Sequence, residues 1–168
     1  MSFKTLDVGC GNSPRGDVNC DLYVNATKHR GPSGIALHVK NIANFVKCDA
    51  TNLPFKKGSF DVVIASHILE HLDSPLDALK EWKTVTRKKV VVAIPDLNVQ
   101  RLFEEDVGHI FTWSSWSIKN LMEKVFPRVE VYCNTRFLSW QKQGRLPGIF
   151  NFVLKRFLSA YLFFRTLS

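Results

Sequence analysis

The residues best placed to do chemistry are two glycines and two aspartates near the start of the chain. Leu6-Asp7-Val8-Gly9-Cys10-Gly11 closes an apolar run on Gly-x-Gly. Glycine there lets the backbone turn sharply and lets a ligand approach main-chain amides. Asp21, ten residues after Gly11, ends the next apolar run. A carboxylate in that place can accept hydrogen bonds from both hydroxyls of a ribose. The dinucleotide fingerprint asks for a third glycine and an acid about twenty residues on. Here position 14 is Pro14 and the acid comes early, so the pyrophosphate cradle and most of a first helix are missing. A nucleoside ligand without a pyrophosphate fits this spacing better than NAD. Taken alone, Gly-x-Gly is also what a tight turn looks like.

Further groups stand beyond the glycines. His67 and His71 are four apart with Glu70 between them. On a helix that spacing could ligate a metal, but no third ligand at a suitable spacing is visible, so no metal is expected. His67 follows an apolar run directly and is a candidate base, whereas His71 reads as a packing residue. His109, in Gly108-His109-Ile110-Phe111-Thr112-Trp113, precedes a helical pattern, with Thr112 or Ser114 as its cap. Asp96, after Pro95, is either a base or a turn former. Asp61 reads as a surface residue at the entry of a strand. No complete catalytic constellation is present, and His67, Asp96 and His109 are the candidates. The cysteines Cys10, Cys20, Cys48 and Cys133 form no CxxC pair. They read as reduced thiols of a cytoplasmic protein, with Cys10 and Cys48 as small packing residues.

The elements that must position these groups alternate. Strands are expected over Lys4 to Val8, Val18 to Tyr23, Phe45 to Cys48, Phe60 to Ala65, Lys88 to Ile94 and Arg128 to Cys133. Helices are expected from Pro75, with Ser74 as N-cap, and over Trp113 to Phe126. Ile35 to Ile42 could form a short helix. This alternation predicts an α/β domain with a mostly parallel sheet and flanking helices, its ligand beyond the carboxyl ends of the strands.

The same residues resemble the class I S-adenosylmethionine-dependent methyltransferases, in their compact, type 11-like form. Leu-Asp-Val-Gly-Cys-Gly followed by Asp17-Val18-Asn19-Cys20-Asp21-Leu22 is similar to that group's cofactor loop and second strand. Cys48-Asp49-Ala50-Thr51-Asn52-Leu53-Pro54-Phe55, Ser59-Phe60-Asp61-Val62-Val63 and Ser66-His67-Ile68-Leu69-Glu70-His71-Leu72 resemble its later segments, in the same order. The resemblance spans about residues 4–134. It implies a Rossmann-like fold with the first helix reduced or absent and the last strand in doubt. It also implies S-adenosylmethionine as cofactor. Gly9, Cys10 and Gly11 would lie under the methionine part, with Asp7 orienting its amino group. Asp21, with Leu22 beside it, would hold the ribose, Asp49 and Ala50 would meet the adenine, and the Ser66 carbonyl would meet the cofactor's amino group with His67 close by. His109 would border the acceptor entrance.

The chain has 168 residues, one domain's worth, with 23 basic and 15 acidic residues and a net charge of +8. Residues 1–130 hold 17 basic and 15 acidic residues, whereas residues 131–168 hold six basic and none acidic. The excess therefore belongs to the end of the chain. Residues 1–134 are expected to form the methyltransferase domain and 135–168 a basic extension. Within it, Ile149 to Leu167 reads as an amphipathic, Phe-rich helix. That helix could pack on the core, cover the pocket, join a twin subunit through residues 148–168, or lie on an anionic membrane surface. No apolar run reaches a membrane-spanning length. The expected acceptor is a small or lipid-like molecule. A cofactor-binding module serving a partner protein and an RNA or protein methyltransferase are the alternatives. Nucleic acid is less favoured, for want of a stacking-aromatic or base-amine motif.

Overall fold

Phe60 to Ser66 alternates nothing: it is apolar except at Asp61 and Ser66, and all seven residues are buried. Such a strand belongs inside a parallel sheet covered on both faces. The structure, a computed structural model, describes residues 3–27, 34–95, 109–133 and 161–166. In chain order the elements are β1 (Thr5–Val8), β2 (Val18–Asp21), β3 (Phe45–Lys47), β4 (Phe60–Ser66), α1 (Pro75–Val85), β5 (Thr86–Pro95), α2 (Ser115–Glu123), β6 (Val129–Cys133) and β7 (Tyr161–Thr166). They form one seven-stranded sheet in the order β3-β2-β1-β4-β5-β7-β6. The first five strands are mutually parallel, and β7 runs antiparallel to both β5 and β6. The strand order reverses between β1 and β4, which opens a crevice beyond their carboxyl ends.

The two helices among the described residues pack against the sheet. In α1, Ala78, Leu79, Trp82 and Val85 recur at helical spacing and are all fully buried. Each such large side chain contributes about 1.5–3 kcal/mol by leaving water. Ser74 occupies the N-cap position but makes no capping hydrogen bond through its side chain, so Pro75, with its fixed φ, is what starts the helix. α2 is capped reciprocally: Ser117 N–H donates to Ser114 Oγ at 3.1 Å, and Ser114 N–H donates to Ser117 Oγ at 2.9 Å.

Four expectations need correction. The short helix over Ile35 to Ile42 is only a 3-10 turn at Val39–Asn41. Leu69–His71 is likewise a 3-10 turn rather than a helix start, so His67 and His71 do not share a helix face. The largest correction concerns the end of the chain. Tyr161–Thr166 is not helical: it is the closing strand, inserted between β5 and β6 with Phe164 opposite both Val92 and Val131. The reason is backbone pairing. An aromatic-rich run satisfies helical and strand periodicity about equally, but without β7 the edges of β5 and β6 would both lack partners. The part of the expected helix between residues 149 and 160 lies outside the described residues. The surface helix imagined for a membrane or twin subunit thus loses its last third to the sheet.

Asp61 is not a surface residue either. It is buried, accepts a hydrogen bond from Lys4 N at 2.9 Å, and pairs with Arg87 at 3.0 Å and Lys88 at 3.1 Å. The Lys4 amide, ahead of the two cations, holds its carboxyl down to about 2.

Because β7 joins β6 to the sheet, deleting residues 161–168 is expected to cost several kcal/mol. For a domain of this size that is a fall of roughly 10 °C or more in the thermal midpoint, read by circular dichroism. An unchanged melt would return this stretch to the surface.

Candidate functional site

The site begins with a connection that has no helix. Nine residues, 9–17, carry the chain from β1 back to the start of the parallel strand β2. Side chains hold this return in place of helical hydrogen bonds. Asn19, buried, accepts from Gly16 N at 2.9 Å and donates to Gly16 O at 3.0 Å and Ala43 O at 2.8 Å. Asp17 Oδ2 accepts from Thr5 N and Thr5 Oγ1. Gly9 N and Cys10 N both donate to Cys20 O, at 2.8 and 3.0 Å. Gly9 sits at φ +68°, and a Cβ there would fall 2.6 Å from Ile68 Cδ1. Only glycine allows the loop to lie against the segment after β4. Gly11, at φ +54°, faces open space instead.

Asp21 ties the loop to the end of β2. Its Oδ2 accepts from Gly11 N at 3.1 Å and its Oδ1 from Tyr23 N at 3.0 Å. After β3, Asp49 Oδ1 accepts from Thr51 N and Thr51 Oγ1, and Ala50 O receives the Trp82 indole N–H at 2.9 Å. That bond fixes the loop after β3 to the buried face of α1.

These strand ends surround a cavity of about 890 Å³, in the upper part of the range for small-molecule sites. Following the sheet order, its wall passes from Asp49 and Ala50, through Asp21 and Leu22, to Gly9, Cys10 and Gly11, then to Ser66 and His67. His71, Asp73, Pro95 and His109 continue it. Nine of the ten residues expected around a cofactor therefore line one cavity, and His109 joins them. Asp7 does not line it. It is fully buried beneath the loop, where Oδ2 accepts from Arg15 N at 2.8 Å. Asp96 lies outside the described residues, although its neighbour Pro95 is on the wall. Cys10 packs with Leu37 and Ile42. A hydrogen bond between the thiols of Cys20 and Cys48 raises the Cys20 pKa and lowers that of Cys48.

Sequence reasoning missed the centre of the far wall. His67 adopts φ +53°, an uncommon conformation for a residue with a side chain. Glu70 is fully buried. Its Oε1 lies 3.3 Å from His67 Nδ1 and 4.0 Å from His109 Nε2. Its carbonyl accepts from Ile110 N at 2.9 Å and Phe111 N at 3.1 Å, which docks residues 109–111 on the 3-10 turn. The His71 and His109 rings meet edge to face at 4.6 Å. The signal was present as His67-x-x-Glu70-His71, but its partner His109 stands 38 residues further on.

Burial raises the pKa of Asp7 from 3.8 to about 7, against the opposing pull of Arg15, whose guanidinium is 4.0 Å away. Oδ1 finds no hydrogen-bond partner among the described residues. A carboxyl with a raised folded-state pKa binds its proton more tightly when folded. Its contribution to stability is therefore complete below about pH 4 and lost as pH rises through about 7. The full swing is on the order of 4 kcal/mol. Asp7→Asn, which cannot ionise, is expected to flatten the fall in thermal midpoint between pH 4 and 8. Equal slopes for the two proteins would show that Asp7 is ionised throughout.

Comparison with known proteins agrees with this geometry. The chain is 25% identical over 115 residues to an uncharacterized protein of Methanocaldococcus jannaschii, covering 65% of this chain and 47% of that protein. It is 29% identical over 93 residues to the tRNA (carboxymethyluridine(34)-5-O)-methyltransferase of Saccharomyces cerevisiae, covering 55% of this chain and 30% of the enzyme. The chain thus spans less than half the length of these two relatives. Among solved structures, a SAM-dependent methyltransferase from Thermotoga maritima superposes with a TM-score of 0.68 at 18% identity, covering 99% of this chain and 83% of that one. Residues 6–94, from the middle of β1 nearly to the end of β5, match the Methyltransferase domain family, and the chain belongs to that family.

Proposed function

We propose that this protein transfers a methyl group from S-adenosylmethionine to a small polar acceptor. The observation that carries this reading is the cavity, with a nucleoside-type wall at β3, β2 and β1 and a histidine-rich wall after β4. The residues fit the cofactor. Gly11 faces open space where a side chain would intrude. Each Asp21 oxygen already accepts one amide, and a carboxylate oxygen retains capacity for a second donor, which suits the ribose hydroxyls. Asp49 uses Oδ1 for its turn, leaving Oδ2 to the adenine amine.

S-adenosylmethionine supplies a methyl already activated on a sulfonium sulfur. What remains for the protein is to align nucleophile, carbon and sulfur, to exclude water, and to take a proton where the acceptor carries one. His67 and His109 are the candidate bases, both on the wall. His67 is 31% exposed and His109 11% exposed by side chain, so either reaches a molecule held in the cavity. His67, His71 and Asp73 also make this wall polar, which favours a polar acceptor. A lipid-like acceptor drew its support from the Phe-rich helix, and residues 161–166 of that helix are strand. No helix among the described residues is long and apolar enough to cross a membrane.

A second reading, an RNA acceptor, is favoured by the likeness to the yeast tRNA enzyme. Incubation with methyl-labelled cofactor and a fractionated cell extract separates the two. Label is expected in the small-molecule fraction, and label in RNA, lipid or protein would overturn the proposed acceptor. Cofactor binding without label in any fraction would favour a binding module. Asp21→Ala is expected to weaken cofactor binding by about 10- to 100-fold, the range for charge-assisted hydrogen bonds. Unchanged affinity in calorimetry would remove Asp21 from the cofactor site.

A further inference from the structure

The geometry points to a divalent metal site of the zinc class formed by Glu70, His71 and His109 on the acceptor side of the cavity. One ligand atom from each residue lies within 4.8 Å of the other two. Two imidazoles and a carboxylate are a donor set suited to zinc and neighbouring transition ions, and three protein ligands leave a position open.

The second observation is the state of Glu70. Its side chain is fully buried, and neither carboxylate oxygen accepts a hydrogen bond among the described residues. Burying a charged carboxylate is costly, and a positive group that meets it lowers that cost. A cation between Glu70, His71 and His109 would do so. The ligands are also held before any ion arrives. Glu70 and His71 belong to one 3-10 turn. The bonds from Ile110 N and Phe111 N to Glu70 O bring His109 to the same place from a different part of the chain. The edge-to-face packing of His71 and His109 orients both rings. His67 Nδ1, 3.3 Å from Glu70 Oε1, is placed to support the carboxylate from outside the ligand set, as partners of metal-ligating residues do.

His71 and His109 line the cavity, whereas Glu70 lies behind it. The open position therefore faces the space proposed for the acceptor. An acceptor hydroxyl bound there would lose its proton to solvent more readily, with His109 then a ligand rather than a base, and its oxygen would bond the methyl carbon as the carbon–sulfur bond breaks and its electron pair stays on sulfur. That role rests on the proposed methyl transfer, while the metal site stands on its own geometry.

The test is a cobalt titration of the full-length, chelator-stripped protein, read by visible absorption. A saturable band at one cobalt per chain, bleached by zinc, is expected. Glu70→Gln and His109→Asn should each weaken it at least tenfold. His109 sits at the cavity wall, so its variant keeps the test valid should Glu70→Gln fail to fold. No saturable band in the parent protein, or the same titration in both variants, would overturn the proposal and leave an imidazole–carboxylate cluster. Calorimetry of S-adenosylmethionine on the same stripped protein reads the cofactor site separately. Cofactor binding without a cobalt band rejects the metal alone, and a cobalt band without cofactor binding rejects the methyl-transfer reading instead.

Discussion

Everything at the ligand-binding edge depends on one short return of the chain. Nine residues join the end of β1 to the start of a parallel neighbour, where a parallel connection ordinarily spends a dozen or more and includes a helix. A helix would have supplied its own hydrogen bonds. Without one, the side chains of Asn19, Asp17 and Asp7 supply them, Asn19 and Asp7 from buried positions. Gly9 is driven against Ile68 at a distance no Cβ tolerates. The same shortness brings Asp21 within reach of the Gly11 amide, so loop and carboxylate form one unit.

That unit is useful because the sheet carries it to the right place. β1 and β4 are neighbours in register from Thr5↔Val62 to Val8↔Ala65, so the loop after one strand faces the turn after the other. The outer wall is anchored differently. Trp82 reaches from the buried stripe of α1 to the carbonyl of Ala50, and core packing thereby sets where Asp49 stands. The histidine wall depends on two main-chain bonds to Glu70. A methyl transfer needs positioning more than it needs a strong acid or base, and these constraints are positional.

The legible parts of the sequence were those in which chemistry is local. Gly9, Gly11 and Asp21 lie within thirteen positions of one another, and the short spacing itself announced the missing helix. β4 and the second half of β5 were readable because they are buried and almost continuously apolar. The unreadable parts depended on distant partners. Residues 161–166 are periodic enough for either helix or strand, and only the unpaired edges of β5 and β6 decide between them. Glu70 looked like a spacer between two histidines. Its importance comes from burial and from His109, which the fold brings back after 38 residues. Asp7 also supports the loop from below, through the bond from Arg15 N to its Oδ2, a role that only the folded chain shows.

The positive charge of the chain reads differently once the cavity is known. Among the lining residues, Asp21, Asp49 and Asp73 stand against Arg15, with the histidines to one side. A wall of that sign favours a ligand carrying a sulfonium and an ammonium, and it disfavours phosphates packed inside. The basic excess sits instead in residues 131–168, of which 161–166 close the sheet on the side of β5 away from β1. A polyanionic acceptor would have to approach that acidic wall, whereas a small polar acceptor meets no such opposition.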